Sequence, residues 1–295
     1  MKKYILFLAV LPGILFTTTG CGPEAETGVL FARSGLAADR DTQQGMQTDT
    51  TDPKRTKALE DVLADDLTKS GVPPSGTTPV VNLDHLMGKF NPARHPDFVP
   101  VGKPYTNKTG MILHRETFAA FKKMWAAAKK EGITLNIISS TRSFDQQKNI
   151  WEGKWTRFAA EQPAADDRAR KILEYSAMPG ASRHHWGTDI DLNDLNNPSF
   201  ETGGRFVNVY AWLRLHAHEY GFCQPYTAKN DQRPHGYKEE KWHWSYLPVA
   251  APLLRQYSQS VRDDMFIGFS GAETAKKLNI VDHYVLGINQ DCKPN

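Results

Sequence analysis

Apolar residues first settle into a helical rhythm at Phe118, Phe121, Trp125 and Ala128, which share one face of a 3.6-residue repeat. The pattern predicts a helix over 114–131, stopped by Gly132. A β-rich run over 133–138 predicts a strand. It leads through Ser139-Ser140-Thr141-Arg142-Ser143 into a second helix carrying Ile150 and Trp151. Residues 164–175 predict a third helix, closed by Pro179-Gly180. Short strands are expected at 188–192 and 242–247, with a helix over 207–220 between them. Further on, Leu253 and Leu254 mark the inward face of a helix over 249–259. Residues 272–278 predict a short helix, and Tyr284-Val285-Leu286-Gly287-Ile288 an extended segment. Helices alternating with few, scattered strands predict an α+β domain with a small, largely antiparallel sheet and flanking helices.

Upstream the pattern changes. Lys2 and Lys3 precede an apolar run from Tyr4 to Phe16, and Thr17-Thr18-Thr19-Gly20-Cys21 follows. The run is too short to span a bilayer as a helix and fits a secretory leader. With its cysteine it resembles a bacterial lipoprotein signal, although Thr18 stands where that signal usually has Leu. The resemblance implies removal of residues 1–20, a lipid on Cys21, and an exported chain anchored to a membrane of the cell envelope. Residues 21–78, rich in Thr, Gly, Asp, Ala and Pro, predict a flexible linker holding one short helix between Asp52-Pro53 and Gly71. The working domain is expected at 79–260, with 261–295 as a C-terminal extension packing on it.

Charge narrows the function class. The 295 residues carry 36 Lys+Arg against 33 Asp+Glu, a net charge of +3. That balance, with no Lys/Arg run, excludes a nucleic-acid platform. One long apolar run excludes a polytopic membrane protein. A monomer is expected. Beyond Cys21 only Cys223 and Cys292 remain. In an oxidising compartment they form a disulfide or stay as two buried thiols, and their spacing does not decide between the two.

The chemistry gathers in Ser182-Arg183-His184-His185-Trp186-Gly187-Thr188-Asp189-Ile190-Asp191, in Glu239-Glu240-Lys241-Trp242-His243-Trp244, and in Ser140-Thr141-Arg142-Ser143. Two histidines and an aspartate are a hydrolytic zinc set: three protein ligands plus an open water position. His184 precedes a turn marked by Gly187, and Asp191 lies on the strand after it; His185 competes with its neighbour as ligand. Glu240 would serve as general base. Strand alternation sets Glu240 and His243 on opposite faces, so Glu240 must sit before the strand or at a bulge. His216 and His218 diverge on a helix, whereas His235, in a Pro/Gly loop, could line the site. Trp125, Trp151 and Trp212 fall at core positions, while Trp186, Trp242 and Trp244 flank ligands and either pack or touch substrate.

The spacing S-x-H-x-x-G-x-x-x-D followed by E-x-W-H resembles the LAS group of zinc peptidases, which takes in lysostaphin-type enzymes, the D-alanyl-D-alanine carboxypeptidases of vancomycin resistance and the hedgehog fold. Within it the chain is most similar to the D-Ala-D-Ala carboxypeptidase branch, from about Leu113 to Tyr246. The resemblance implies that fold, a Zn2+ cofactor held by His184, Asp191 and His243, and Glu240 as the base acting on the zinc water. It implies that Arg142, in Thr141-Arg142-Ser143-Phe144, faces the substrate carbonyl or carboxylate, and that Ser182, Ser143 and Gln147 help to hold substrate. Two residues depart from the branch: Thr141 replaces an aromatic, and Asp189 replaces a small residue. Asp189 shares a strand face with Asp191 and either orients a ligand or reshapes the pocket. The expected activity is trimming of peptidoglycan stem peptides by release of a terminal D-amino acid, with Arg142 or Arg183 clamping the free carboxylate. An endopeptidase of the same fold and a non-enzymatic peptidoglycan-binding lipoprotein are the alternatives.

Overall fold

The computed structural model describes residues 81–293. The leader at 1–20, Cys21 and the linker at 21–78 with its short helix lie outside them. Two antiparallel sheets and seven α-helices are seen among the described residues. A one-turn helix α1 (Leu83–Leu86) precedes β1 (Phe98–Val101) and β2 (Met111–His114), which pair antiparallel. Helix α2 (Arg115–Lys130) follows without a break; the His114 ring accepts from the amide of Glu116, and the Glu116 and Lys129–Lys130 charges suit the helix dipole. Its buried face is Thr117, Phe121, Met124 and Ala128, spaced four, three and four residues apart. Phe118 and Trp125 are only half-buried, so the inward stripe is rotated from the aromatic one that the sequence suggests.

The second sheet has the order β3-β4-β6-β5, antiparallel throughout. Strand β3 (Ile137–Ser139) is shorter and later than expected, because Ile133 closes the end of α2 by donating to Ala128 O. Helix α3 (Phe144–Arg157) is capped by Ser143 in a reciprocal box with Gln146. Helix α4 (Ala165–Ile172) and a single 3-10 turn (Arg183–Trp186) lead to β4 (Asp189–Leu192). Helix α5 (Val207–His216) continues as a 3-10 turn and ends at Gly221. Strand β5 (Phe222–Cys223), β6 (His243–Tyr246) and helix α6 (Leu247–Ser260) follow.

The expected extended segment at 284–288 is corrected. Ile280–Val285 is a π-helical turn after helix α7 (Ala275–Leu278), entered through Asn279 in the left-handed region. Ile280, Val281 and Val285 all face the core, and the wide turn lets them do so.

One face of the four-stranded sheet is greasy. Ile137, Ile190, Leu192 and Trp244 pack with Phe121 and Met124 of α2 and Trp212 and Leu213 of α5. A second core joins Trp151, Trp186, Leu254 and Tyr257 to Phe266, Leu278, Ile280 and Val285, so residues beyond 260 share the packing of the domain. Cys223 and Cys292 are bonded, with Cα atoms 5.7 Å apart across a separation of 69 residues. Closing a loop of that length removes denatured-state entropy. Replacing both by serine is expected to lower the unfolding free energy by about 2–4 kcal/mol in denaturant titrations, with no change on adding reductant.

Candidate metal and catalytic site

The other face of the same sheet is polar. In the β4–β6 ladder, Asp191 is the direct partner of His243 and Asp189 the direct partner of Ser245. Directly opposed side chains stand close on one face, so the ladder alone brings a carboxylate and an imidazole together. His184 reaches them from the 3-10 turn. That turn ends at Gly187, whose φ of 70° is open to glycine without strain. A Cβ there would lie 2.4 Å from the Phe98 ring and 2.8 Å from the His114 amide nitrogen.

Each imidazole has one nitrogen fixed and one turned inward. His184 Nδ1 donates to Ser140 O at 2.9 Å, leaving Nε2 at 3.4 Å from Asp191 Oδ2. His243 Nε2 meets Asp189 Oδ2 at 2.8 Å, leaving Nδ1 at 3.2 Å from Asp191 Oδ1. All three residues are buried, and their donor atoms lie within 4.8 Å of one another. Asp191 Oδ1 has no hydrogen-bond partner although it is enclosed. Tetrahedral coordination with bonds of about 2.0–2.1 Å sets donor atoms roughly 3.3 Å apart, close to the two separations seen. Three buried carboxylates, Asp189, Asp191 and Glu240, converge here with Arg142 and Arg183. The donor set and its spacing fit a divalent cation.

His185 does not compete. Its Nε2 accepts from Gly180 N at 3.1 Å and its Nδ1 donates to Arg142 O at 2.7 Å, and burial pushes the imidazole down to about 3. It is a neutral strut for the Arg142 loop. Glu240 sits in the turn before β6, where His243 N bonds its carbonyl, so the strand-face conflict does not arise. Its Oε2 is 3.1 Å from His243 Nδ1, and burial raises its carboxyl above the ordinary value, with His243 partly opposing. Arg142 follows β3. Its amide bonds His184 O at 3.1 Å, its Nη1 bonds Ser139 Oγ at 2.8 Å, and Nη1 stands 3.8 Å from Asp191 Oδ2.

A cleft of about 530 Å³ opens beside these groups, lined by Arg142, Gln147, Lys154, Tyr175, Glu240 and Trp242. Gln147 donates to Ala177 O and keeps a buried, unpartnered Oε1. Ser182 lines a small hollow of about 30 Å³ with Arg142, His184, Tyr226, Tyr237, Glu240 and His243, room for about one water. Ser143 is not in the cleft; its hydroxyl caps α3. Arg183 is not there either. It lines the small hollow instead, buried and bonded to Asp189 and Ser245, with Nη1 left without a hydrogen-bond partner. Trp242 lines the cleft, whereas Trp186 and Trp244 are core residues. His235 stacks on His283 at 4.1 Å, away from the hollow, and His216 pairs with Glu219. Sequence reasoning missed Lys154, Tyr226 and Tyr237. The position of Lys154, seven residues after Gln147 on one helix face, was the available signal for that residue.

Residues 110–249 match the family described as "VanY: D-alanyl-D-alanine carboxypeptidase". YodJ of Bacillus subtilis (strain 168), which is named as a carboxypeptidase, is 31% identical over 156 residues, covering 52% of this chain and 53% of that protein. A D-alanyl-D-alanine carboxypeptidase of Enterococcus faecalis (strain ATCC 700802 / V583) is 26% identical over 128 residues, covering 43% and 46%. The chain thus spans about half the length of these curated relatives. Among solved structures, a mutant of the vancomycin resistance D,D-pentapeptidase VanY from a VanB-type cassette, in complex with Zn(II), superposes with a TM-score of 0.40 at 21% identity, covering 55% of this chain and 90% of that one.

The close approach at Gly187 is testable. Gly187→Ala adds left-handed strain of about 1 kcal/mol and a clash with backbone, so a loss on the order of 2–3 kcal/mol is expected in thermal unfolding.

Proposed function

We propose that this chain, whose residues 110–249 match the VanY family, is a zinc-dependent D-Ala-D-Ala carboxypeptidase acting on peptidoglycan stem peptides. The observation that carries the reading is the convergence of His184 Nε2, His243 Nδ1 and Asp191 beside Glu240 and Arg142 at one end of an open cleft. A zinc ion bound there supplies Lewis acidity toward the scissile carbonyl and a more acidic water. Glu240, whose carboxyl burial raises above the ordinary value, takes the proton of the attacking water at Oε2 and returns it to the leaving amine. Arg142, tethered to Ser139 and to the His184 carbonyl, presents a fixed cation to the oxygen on which negative charge develops. Gln147 Oε1, buried and unpartnered at the cleft wall, accepts a substrate amide.

The choice between exopeptidase and endopeptidase turns on a cation for the free carboxylate. Arg183 lies outside the cleft, bonded to Asp189 and Ser245, whereas Lys154 lies in it, held by Ser176 Oγ. Lys154 favours the carboxypeptidase, with the Tyr175 and Trp242 rings as walls beside it. Export as a lipoprotein through Cys21 is part of the same proposal; the Lys2-Lys3 pair, the apolar run after it and a Cys223–Cys292 disulfide suited to an oxidising compartment support it.

Mass spectrometry of digests of defined stem peptides tests the reading. Loss of one terminal alanine, blocked by a chelator, is expected; internal cleavage would favour the endopeptidase, and unchanged peptide would remove the enzymatic reading. Glu240→Gln is expected to bind zinc like wild type while kcat falls by about 10²–10⁴. Lys154→Met is expected to raise KM for free-acid peptides by about 10–100-fold, and to leave C-terminally amidated peptides unaffected.

A further inference from the structure

We propose that Asp189 is a positioning residue that fixes which nitrogen of His243 faces the metal, a task separate from its neutralising of the buried Arg183. The inference rests on the metal site described above and concerns a residue to which the resemblance assigns no role.

Asp189 is wholly buried in the middle of β4 and accepts four contacts. Oδ2 meets His243 Nε2 at 2.8 Å and Arg183 Nε at 3.0 Å; Oδ1 accepts from Thr188 Oγ1 and Ser245 Oγ, both at 2.7 Å. With Arg183 beside it the group is an ionised carboxylate, which only accepts. Each facing atom must therefore bring a hydrogen, so Nε2 of His243 carries one. Nδ1, the nitrogen turned to Asp191 and Glu240, is the one left to give its lone pair when a cation binds. His184 is fixed the opposite way round: the backbone carbonyl of Ser140 takes Nδ1 and Nε2 is free. A backbone oxygen holds its histidine wherever the strand runs. The holder of His243 is a side chain, and a mutation can remove it.

Geometry allows Asp189 to serve both partners. It opposes Ser245 in the ladder, two residues along from the Asp191–His243 pair, so it lies diagonally across from His243. Arg183 approaches from the other side, with Nη2 on Ser245 Oγ at 2.6 Å and its guanidinium 4.9 Å from the centre of the Trp186 ring. A small residue at position 189 could reach neither group. The branch that this chain resembles usually has a small residue there.

The two tasks separate in an Arg183→Met background, where no buried guanidinium needs a counterion. Zinc dissociation constants are measured by chelator competition for wild type, D189A, R183M, R183M/D189A and R183M/D189N, with thermal melts to establish folding. Cobalt(II) absorption spectra of each protein report the ligand field. Asp189→Ala is expected to weaken zinc by about 10–100-fold, the usual effect of removing a ligand's outer partner. R183M should stay within about threefold of wild type, R183M/D189A should keep the deficit, and R183M/D189N should recover most of it because the amide oxygen still accepts from Nε2. The cobalt band should shift in the two alanine variants alone. If R183M/D189A binds zinc like wild type, or if Asn and Ala behave alike, Asp189 is only a counterion and the proposal falls. Absence of zinc binding by wild type itself would instead remove the metal site.

Discussion

The antiparallel pairing of β4 with β6 is the constraint on which the site depends. Its register opposes Asp191 to His243 and Asp189 to Ser245, and by alternation it sends Ile190, Leu192 and Trp244 to the other face. A slip of one residue would exchange the two sets, burying carboxylates in the apolar core and exposing Trp244. The same apolar contacts that hold the sheet on α2 and α5 therefore hold the polar face in order. Burial on one side and chemistry on the other are one choice of register.

That polar face is costly to bury. Asp189, Asp191, Glu240, His184, His243 and Arg183 all sit at or near full burial. Burial by itself would raise Asp189, yet the Arg183 guanidinium and His243 outweigh it and hold the carboxyl well below the ordinary range. Carboxylates drawn together in a buried site beside two imidazoles, with Asp191 Oδ1 left without a hydrogen-bond partner, are the electrostatic signature of a cation site.

The loop that brings Arg142 is fastened to the ligand-bearing turn as well as to the strands. Arg142 N bonds His184 O, and His185 bonds Arg142 O while accepting from Gly180. Gly88 must approach that His185 ring, where a Cβ would fall 2.3 Å from Nδ1. The adjacent histidines thus divide the work: His184 turns to the sheet, and His185 ties the arginine loop and the Gly180 turn to it. Trp186, next in line, donates to Leu86 O and fills the second core, so the turn is anchored at each successive side chain.

Much of this was legible in the chain. Helical stripes set α2, α3 and α6 nearly where they are, and the two motifs set His184, Asp191, His243 and Glu240 apart, because local periodicity and ligand spacing are properties of short segments. Failures fell where distant contacts decide. The apolar Tyr284–Ile288 run reads as an extended segment, yet Val285 belongs to a π-helical turn against a core that reaches back to Leu86 and Trp151. Ser143 sits beside Arg142 in sequence but caps a helix, since its hydroxyl meets an amide three residues on before it meets the cleft. Arg183 reads as a free cation until Asp189 and Ser245 close on it from two strands. The sequence by itself determined the elements and the ligand types. Only the tertiary structure decided which nitrogen of each histidine turns inward, which arginine reaches the cleft and which is sequestered. Those outcomes depend on cross-strand register and on the partners that buried charges find, and neither is written in any local window.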